Sequence, residues 1–257
     1  MTLYSANLGF LWNELTLPDA IRAAKRAGFD AVECHFPYDY PPEDIASVLN
    51  ETGLHMICIN TFPGDMAAGE FGLSALPDRK HEARAAIDQA IAYAKEVKAG
   101  AVHVLAGKAT GQDALDTFIE NVRYAADAAA DAGLWILIEP MNDRDMPGYL
   151  VSTLFQAVTV LKEAQRQNVK LLFDCYHVQI TEGDLATKLQ VLKEVLGHVQ
   201  IASVPDRGEP GQGELNYPFL MQVLDMIGYK GFVGAEYKPR TNTDEGLGWL
   251  ADFRAAV

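Results

Sequence analysis

The sequence predicts an α/β fold in which residues 1–257 form a single (β/α)₈ barrel domain, the TIM barrel architecture. Short apolar runs alternate with stretches of helical periodicity along the whole chain. The runs are almost continuously apolar, which is typical of parallel strands that other elements cover on both faces. Eight strand–helix units in a chain of 257 residues match the number and length that such a barrel needs.

Each predicted strand is followed by a loop and then by a helical pattern. The strands cover residues 4–7, 31–34, 55–60, 101–105, 135–139, 170–174, 198–202 and 232–236. A helix is predicted over residues 80–97, where the apolar side chains recur at a spacing near 3.6 residues. Five glycines are expected to end helices in the left-handed conformation: Gly28, Gly53, Gly100, Gly133 and Gly228.

An open, doubly wound sheet is the alternative arrangement of the same elements. Such a sheet usually carries a glycine-rich phosphate loop after its first strand, and residues 7–10 (Asn-Leu-Gly-Phe) do not form one. Two connections, residues 61–78 and 203–214, are longer than those around them and are expected to act as lids or binding loops.

Composition and charge argue against several classes of protein. Hydrophobic residues make up 49% of the chain, enough for a large core. The net charge of −14, from 21 basic and 35 acidic side chains, opposes binding to nucleic acid and to anionic membranes. No apolar run approaches the roughly 20 residues of a membrane span, and the first residues do not resemble a secretory signal. Cys34, Cys58 and Cys175 are expected to be buried thiols of a cytoplasmic protein.

Four oxygen-bearing side chains stand at the ends of short apolar runs, namely Glu139, Asp174, Gln200 and Glu236. The carboxyl ends of parallel barrel strands converge on one mouth, where the active sites of such barrels lie. Three carboxylates that meet there repel one another unless a cation is present. With the amide oxygen they form the oxygen-rich set that Mg²⁺ or Mn²⁺ prefers. The alternative is that each carboxylate caps the next helix or pairs with a nearby Lys or Arg.

Sequence motifs over nearly the whole chain carry a family resemblance. They are SANLGFLW (5–12), FPYDYP (36–41), GDMAAGEFG (64–72), LAGK (105–108), LIEPMN (137–142), FDCYH (173–177), GHVQIA (197–202), DRGEPGQGELNY (206–217) and GAEYKPRT (234–241). In these motifs the chain resembles the hydroxypyruvate isomerase family of the xylose-isomerase-like barrel superfamily. The motif at 206–217 and the EYKP sequence are specific to the family, whereas LIEP alone suits the wider superfamily.

This resemblance implies a metal-assisted proton transfer between adjacent carbons, with Glu139 and Glu236 as the catalytic acid and base. It also implies that Glu139, Asp174, Gln200 and Glu236 are the ligands of a divalent metal ion, although many relatives have histidine in place of Gln200. The implied reaction interconverts hydroxypyruvate and tartronate semialdehyde. Isomerisation of a four-carbon 2-oxo-tetronate, or epimerisation of a free ketose at C3, would use the same residues.

A keto-acid substrate would need cationic partners for its carboxylate. Lys108, Arg207 and Lys238 all follow predicted strands, and arginine suits bidentate recognition of a carboxylate. The alternative is that these are solvated surface charges. His177 matches a histidine near the reacting centre in the superfamily and is expected to bind a substrate hydroxyl or to orient a ligand. Many family members carry an arginine where this chain has Phe71, which leaves room for a longer or neutral substrate.

Two further functions stay open at this point. An abasic-site endonuclease with the same barrel would need a denser set of zinc ligands and a basic groove. A non-catalytic sugar-binding barrel would not need two opposed glutamates. The expected partner is a small hydroxy-keto acid or ketose, with no nucleic acid or membrane, and a homo-oligomer is compatible with a barrel enzyme. Five histidines are interpreted as ordinary structural residues: His35, His55, His81, His103 and His198.

Overall fold

The strands close into one parallel barrel in the computed structural model, which describes residues 2–255. Sequential strands are neighbours, and the last strand pairs with the first. The strands are β1 Leu3–Asn7, β2 Ala31–Cys34, β3 His55–Asn60, β4 Ala101–His103, β5 Trp135–Ile138, β6 Val169–Asp174, β7 Leu196–Ile201 and β8 Phe232–Ala235. The predicted (β/α)₈ barrel is confirmed, and each predicted strand boundary lies within two residues of the observed one.

Helices occupy the connections between the strands and cover the outside of the barrel. Within residues 2–255 they are α1 Leu17–Arg26, α2 Pro42–Thr52, α3 Lys80–Glu96, α4 Gln112–Ala129, α5 Leu154–Ala164, α6 Cys175–Thr181, α7 Leu185–Val191, α8 Tyr217–Met226 and α9 Gly248–Ala255. The helix predicted over residues 80–97 is confirmed as α3. Both long connections carry little regular structure, apart from short 3₁₀ turns at Met66–Ala68 and Pro77–Arg79.

Four of the five predicted glycine positions have positive φ angles: Gly28, Gly53, Gly133 and Gly228. The prediction for Gly100 is wrong, because the chain reverses earlier, at Lys98, whose φ is 54°. The Ala99 amide then donates to the Ala94 carbonyl at 2.8 Å, which completes the helix end before the glycine is reached. Gly100 serves a close approach instead: a Cβ there would lie 3.1 Å from the carbonyl oxygen of Ile57.

The inside of the barrel is apolar at one level and polar at the next. A small apolar cluster takes one residue from each of four neighbouring strands: Cys58, Ala101, Leu137 and Leu172. Two positions further along the same four stretches of chain stand Asn60, His103, Glu139 and Asp174, all buried. Since side chains two residues apart in a strand point to the same face, these polar groups lie inside the barrel toward its carboxyl end.

No helix within residues 2–255 is long and apolar enough to cross a membrane. The three cysteines are free and buried, as predicted.

Candidate active site

The four predicted strand-end side chains lie on the last four strands, at the carboxyl end of the barrel. Asp174 ends β6 and Gln200 lies in β7, while Glu139 and Glu236 directly follow β5 and β8. In the sheet register Asp174 is opposite Gln200, and Gln200 is opposite Gly234. All four predicted side chains are buried. The structure therefore brings together oxygen atoms from segments almost 100 residues apart in the sequence.

Arg207 connects two of these carboxylates. Its Nη2 donates to Glu236 Oε2 at 2.6 Å and to Asp174 Oδ2 at 3.2 Å. The guanidinium lies between the rings of Phe10 and Tyr176, with 5.1 Å and 4.9 Å to their centroids. The other oxygen of Asp174 accepts from the Tyr176 amide at 2.8 Å and caps α6. The capping alternative thus holds for one oxygen of Asp174, while the other faces the site.

The backbone of Arg207 is strained. Its φ of 57° lies in the left-handed region, which is costly for an arginine. Two hydrogen bonds hold it there: its amide donates to the Ser203 carbonyl at 2.9 Å, and its carbonyl accepts from the Lys238 amide at 2.7 Å. The connection at residues 203–214 is therefore shaped so that one cationic side chain enters the barrel mouth.

Burial and charge move the pKa values of the three carboxyl groups apart. Burial raises the pKa of Glu139 well above its ordinary value, and the nearby charges of Glu236 and Asp174 raise it further. Burial also raises the pKa of Asp174, to about 7, against the opposing effect of Arg207. For Glu236 burial acts in the same direction, but Arg207 and His35 outweigh it and hold the pKa below its ordinary value. Glu236 is thus the more acidic of the two glutamates, and Glu139 is the one whose protonated form burial favours.

Glu236 is also held by Asn7, to which the sequence analysis gave no role, and by His35, which it interpreted as an ordinary structural residue. Its Oε1 accepts from Asn7 Nδ2 at 3.0 Å and lies 2.9 Å from His35 Nε2. His35 lies against Gly9 so closely that a Cβ on that glycine would come within 2.1 Å of its Nδ1. No functional role was predicted for His35, whereas the structure places its ring against a candidate catalytic carboxylate.

His177 points a proton toward the site. Its Nδ1 accepts from the backbone amide of Asn142 at 3.1 Å, and since that amide can only donate, the ring proton lies on Nε2. Nε2 is 3.6 Å from Asp174 Oδ2 and 3.8 Å from Glu139 Oε1. Burial lowers the pKa of His177 to about 3, and Arg207 adds to this, so the ring is neutral. His177 is placed to donate a hydrogen bond to a substrate oxygen rather than to ligate a metal.

His103, also interpreted as structural, lies beside the second glutamate. Its Nδ1 is 3.6 Å from Glu139 Oε2, and burial lowers its pKa to about 4. A neutral imidazole at this position cannot serve as a counter-charge for Glu139, so the carboxyl group gains no charged partner from it.

The donor set fits a divalent metal ion. Glu139 Oε1 and Gln200 Oε1 are buried acceptors with no hydrogen-bond partner in the described part of the chain. The ligand atoms of Glu139 and Asp174 lie within 4.8 Å of each other. Three carboxyl groups lie at this end of the barrel, and Arg207 is hydrogen-bonded to only two of them, Asp174 and Glu236, so a hard cation would balance charge that the guanidinium leaves uncompensated. Glu139, Asp174, Gln200 and Glu236 are therefore residues that could hold such an ion.

Glu139 and Glu236 line a cavity of about 560 Å³, whereas Asp174 and Gln200 are not among its lining residues. Glu139, His177, Arg207, Glu236 and Lys238 all line it, together with the aromatic or apolar side chains Phe10, Trp12, Phe36, Met66 and Phe71. Two of the apolar side chains, Met66 and Phe71, come from the long connection at residues 61–78. Of the eight predicted site residues, Lys108 is the one the structure does not bring to the site: it is exposed and lies beside Gly69, about 3.9 Å from a Cβ placed there.

A sequence profile described as the xylose isomerase-like TIM barrel matches residues 21–253. The chain belongs to this family. The predicted resemblance is confirmed, and so is the predicted fold.

Relatives within this family carry the names of isomerases. The chain is 44% identical to a 2-oxo-tetronate isomerase of Cupriavidus necator, over 98% of this chain and 99% of the relative. It is 38% identical to the hydroxypyruvate isomerase of Escherichia coli, over 99% of this chain and 100% of the relative. The prediction of a hydroxypyruvate-isomerase-like enzyme is confirmed by these relatives.

One solved structure carries a different description. A crystal structure described as AP endonuclease, family 2, from Brucella melitensis is 44% identical, with a TM-score of 0.95, over 98% of this chain and 99% of that one. A similar chain has thus been described as an endonuclease, which is one of the two further functions that the sequence left open.

Proposed function

We propose that this isomerase interconverts a short 2-keto-3-hydroxy acid and its isomer, with hydroxypyruvate and tartronate semialdehyde as the first candidate pair. The observation that carries the proposal is a pair of buried glutamates with opposite protonation preferences on one cavity. The reaction moves a proton from one carbon to its neighbour, and this requires one ionised and one protonated group at the same time. Sugar binding alone would not need this difference.

Glu236 is the base when hydroxypyruvate is the substrate. Its Oε1 and Oε2 accept hydrogen bonds from Asn7, His35 and Arg207, which stabilise its ionised form. It removes the proton from the hydroxymethyl carbon, and an enediolate results. Glu139, whose protonated form burial favours, delivers a proton to the neighbouring carbon, and the hydroxyl proton of the enediolate passes to the adjacent oxygen, which leaves the aldehyde on one carbon and a hydroxyl on the other. In the reverse direction the two glutamates exchange roles.

A divalent ion, Mg²⁺ or Mn²⁺, fits the oxygen donors of Glu139, Asp174, Gln200 and Glu236. When bound, it supplies electrostatic stabilisation of the negative charge that develops on the substrate oxygens. His177 adds the Nε2 proton, which is placed to donate to one of the same oxygens. These groups are buried, so they act where water competes little with their electrostatic effect.

Arg207 and Lys238 are proposed to receive the substrate carboxylate. Arg207 Nε is buried without a hydrogen-bond partner in the described structure, and the residue lines the cavity. Lys238 is exposed at the rim, with Nζ 5.8 Å from the centroid of the Phe10 ring. The cavity volume of about 560 Å³ lies within the usual range for small-ligand pockets and accommodates three- and four-carbon acids alike. A 2-oxo-tetronate is therefore the second candidate substrate, and a free ketose the third.

Cleavage of abasic-site DNA is a second candidate function, favoured by the description of the Brucella structure. Two features of this chain oppose it. The net charge of −14 repels a phosphate backbone. Each of the two potential metal clusters within residues 2–255 contains a single histidine, Glu33–Cys58–His198 in one and Glu139–Asp174–His177 in the other. Absence of nucleic-acid partners and a cytoplasmic location stay predictions, the latter supported by three free buried thiols.

A panel assay tests the proposal. The protein is incubated with Mg²⁺ or Mn²⁺ and with hydroxypyruvate, 2-oxo-tetronate, free ketoses or an abasic-site DNA duplex, and products are followed by NMR and gel electrophoresis. Conversion of a keto acid that stops with EDTA is expected. Turnover of ketoses alone would make the protein an epimerase, and cleavage of the duplex without isomerisation would replace the proposal with the second candidate.

A further inference from the structure

Glu33 is a fully buried carboxylate inside the barrel that the mechanism above does not use. It lies on β2 and accepts hydrogen bonds from side chains on β1 and β7. Ser5 Oγ and Asn7 Nδ2 donate at 3.0 Å each, Gln200 Nε2 donates at 2.7 Å, and His198 Nε2 lies at 2.6 Å. A carboxylate has about four acceptor positions, so these four donors saturate it. Glu33 is therefore fixed in place and does not face the cavity.

The bond from Gln200 fixes which way its amide points. A carboxylate accepts and cannot donate, so the side of the amide that faces Glu33 must be the NH₂ group. The opposite end is Oε1, which is buried and without a hydrogen-bond partner in the described residues. It lies on a strand whose register places Gln200 opposite Asp174. The hydrogen bond to Glu33 therefore orients the Gln200 amide so that its oxygen faces away from Glu33.

A second amide is oriented by the same carboxylate. Asn7 Oδ1 accepts from the Gly9 amide at 2.9 Å, so its NH₂ group faces inward, where Nδ2 reaches both Glu33 Oε1 and Glu236 Oε1 at 3.0 Å. Glu33 therefore contacts a proposed metal ligand, Gln200, directly and is linked to the proposed base, Glu236, through Asn7.

The barrel keeps space for this carboxylate. A Cβ on Gly234, in β8, would lie 2.6 Å from Glu33 Oε2. The cluster of Glu33, Cys58 and His198 could also be regarded as a second metal site. The contacts argue against this, because burial raises the pKa of the Cys58 thiol well above its ordinary value, and Glu33 is already saturated by donors.

We propose that Glu33 is a positioning residue that orients the Gln200 amide so that its oxygen, and not its nitrogen, is offered to a divalent cation. The inference rests on the proposed cation site. It explains how a neutral glutamine serves at a position where the amide could point either way, since rotation by 180° would set an oxygen against a carboxylate. Partners that orient a ligand from behind typically change metal affinity about ten- to a hundredfold when they are lost.

Mn²⁺ binding in the absence of substrate tests this inference. The loss of the free-ion electron paramagnetic resonance signal gives a Kd for the full-length wild-type chain, for Glu33→Gln, for Gln200→Ala and for the double variant. We expect Glu33→Gln to weaken Mn²⁺ binding about ten- to a hundredfold. In the Gln200→Ala background the same change should alter the Kd less than about threefold, because the oriented amide is already gone. Asn121→Ala, which removes a buried amide that donates to the Ser74 carbonyl, is the control and should leave the Kd unchanged.

Each outcome decides the matter. An equal loss of Mn²⁺ affinity in both backgrounds, or a normal Kd for Glu33→Gln, would overturn the positioning role of Glu33. The proposed function would still stand in that case if the wild type binds Mn²⁺ and isomerises its substrate. A wild type that binds no Mn²⁺ would overturn the cation site and this inference together. If Glu33→Gln does not fold, Glu33→Asp withdraws the same acceptor by one methylene and is held to the same comparison.

Discussion

Replacing the two glutamates separately with glutamine should change the stability of the metal-free protein in opposite directions, although both changes should abolish isomerisation. Glu236 accepts hydrogen bonds on both oxygens, including the 2.6 Å bond from Arg207 Nη2. A glutamine there must turn its NH₂ group against one of these donors. Glu139 Oε1 has no donor within the described residues. An amide there replaces a carboxyl group whose charged form is disfavoured by burial.

The magnitudes follow from these contacts. A hydrogen bond to a charged group contributes about 1.5–3 kcal/mol, and a buried charge left without its partner adds to the loss. Glu236→Gln should therefore lower the free energy of unfolding by about 3 kcal/mol. The pKa of Glu139 is raised in the folded protein, so the folded state holds a proton that the unfolded state loses above its pKa of about 4.3. Wild-type stability from this group thus falls as pH rises, and the advantage of Glu139→Gln grows from pH 5 to pH 8.

Urea unfolding followed by circular dichroism in EDTA, at pH 5 and at pH 8, measures both effects. The same protein samples are assayed for isomerisation with Mn²⁺, so that loss of turnover is separated from loss of fold. Equal destabilisation by the two variants, or a Glu139→Gln protein that is less stable than Glu236→Gln at pH 8, would contradict the assigned protonation states.

Three further variants test other contacts. Lys238→Ala should raise KM for keto acids more than for neutral ketoses, and an equal rise in steady-state kinetics would remove its carboxylate role. His177→Gln should lower kcat about a hundredfold, the contribution typical of a proton donor, and should leave the Mn²⁺ Kd unchanged; a matching loss of Mn²⁺ affinity would make it a ligand instead. Gly234→Ala should lower the free energy of unfolding by about 1–3 kcal/mol because its Cβ would meet Glu33 at 2.6 Å. Gly248→Ala, with no atom near its Cβ, is the matched control, and equal urea midpoints would refute that clash.

The sequence alone predicted the barrel and the location of its polar groups. The apolar runs arise because a parallel barrel buries both faces of each strand. The strand positions could therefore be predicted from a single sequence. Glu139, Asp174 and Glu236 were found because charged groups at the ends of buried strands are rare without a partner. The orientation of each side chain came from strand periodicity alone.

The residues that sequence reasoning missed lie inside strands or just beyond them. Glu33 is a carboxylate within an apolar strand, and that feature was a signal, because an acid buried within a strand needs several donors. His35 and His103 carried no such signal, since their importance depends on contacts with Glu236 and Glu139 across the barrel. Lys108 follows its strand at the expected position, but the direction of a long side chain on a loop is decided by packing, not by periodicity.

The assignment of Glu236 as the base and Glu139 as the acid is tested most directly by solvent exchange with the Glu139→Gln variant. Hydroxypyruvate is incubated in D₂O with Mn²⁺ and each protein. The Mn²⁺ is then chelated, the sample is diluted, and the products are examined by proton NMR. If Glu236 removes the proton and Glu139 returns it on the neighbouring carbon, Glu139→Gln should exchange the hydroxymethyl protons for deuterium without forming the aldehyde, and Glu236→Gln should do neither. Exchange by Glu236→Gln, or aldehyde formation by Glu139→Gln at a rate near that of the wild type, would contradict the mechanism.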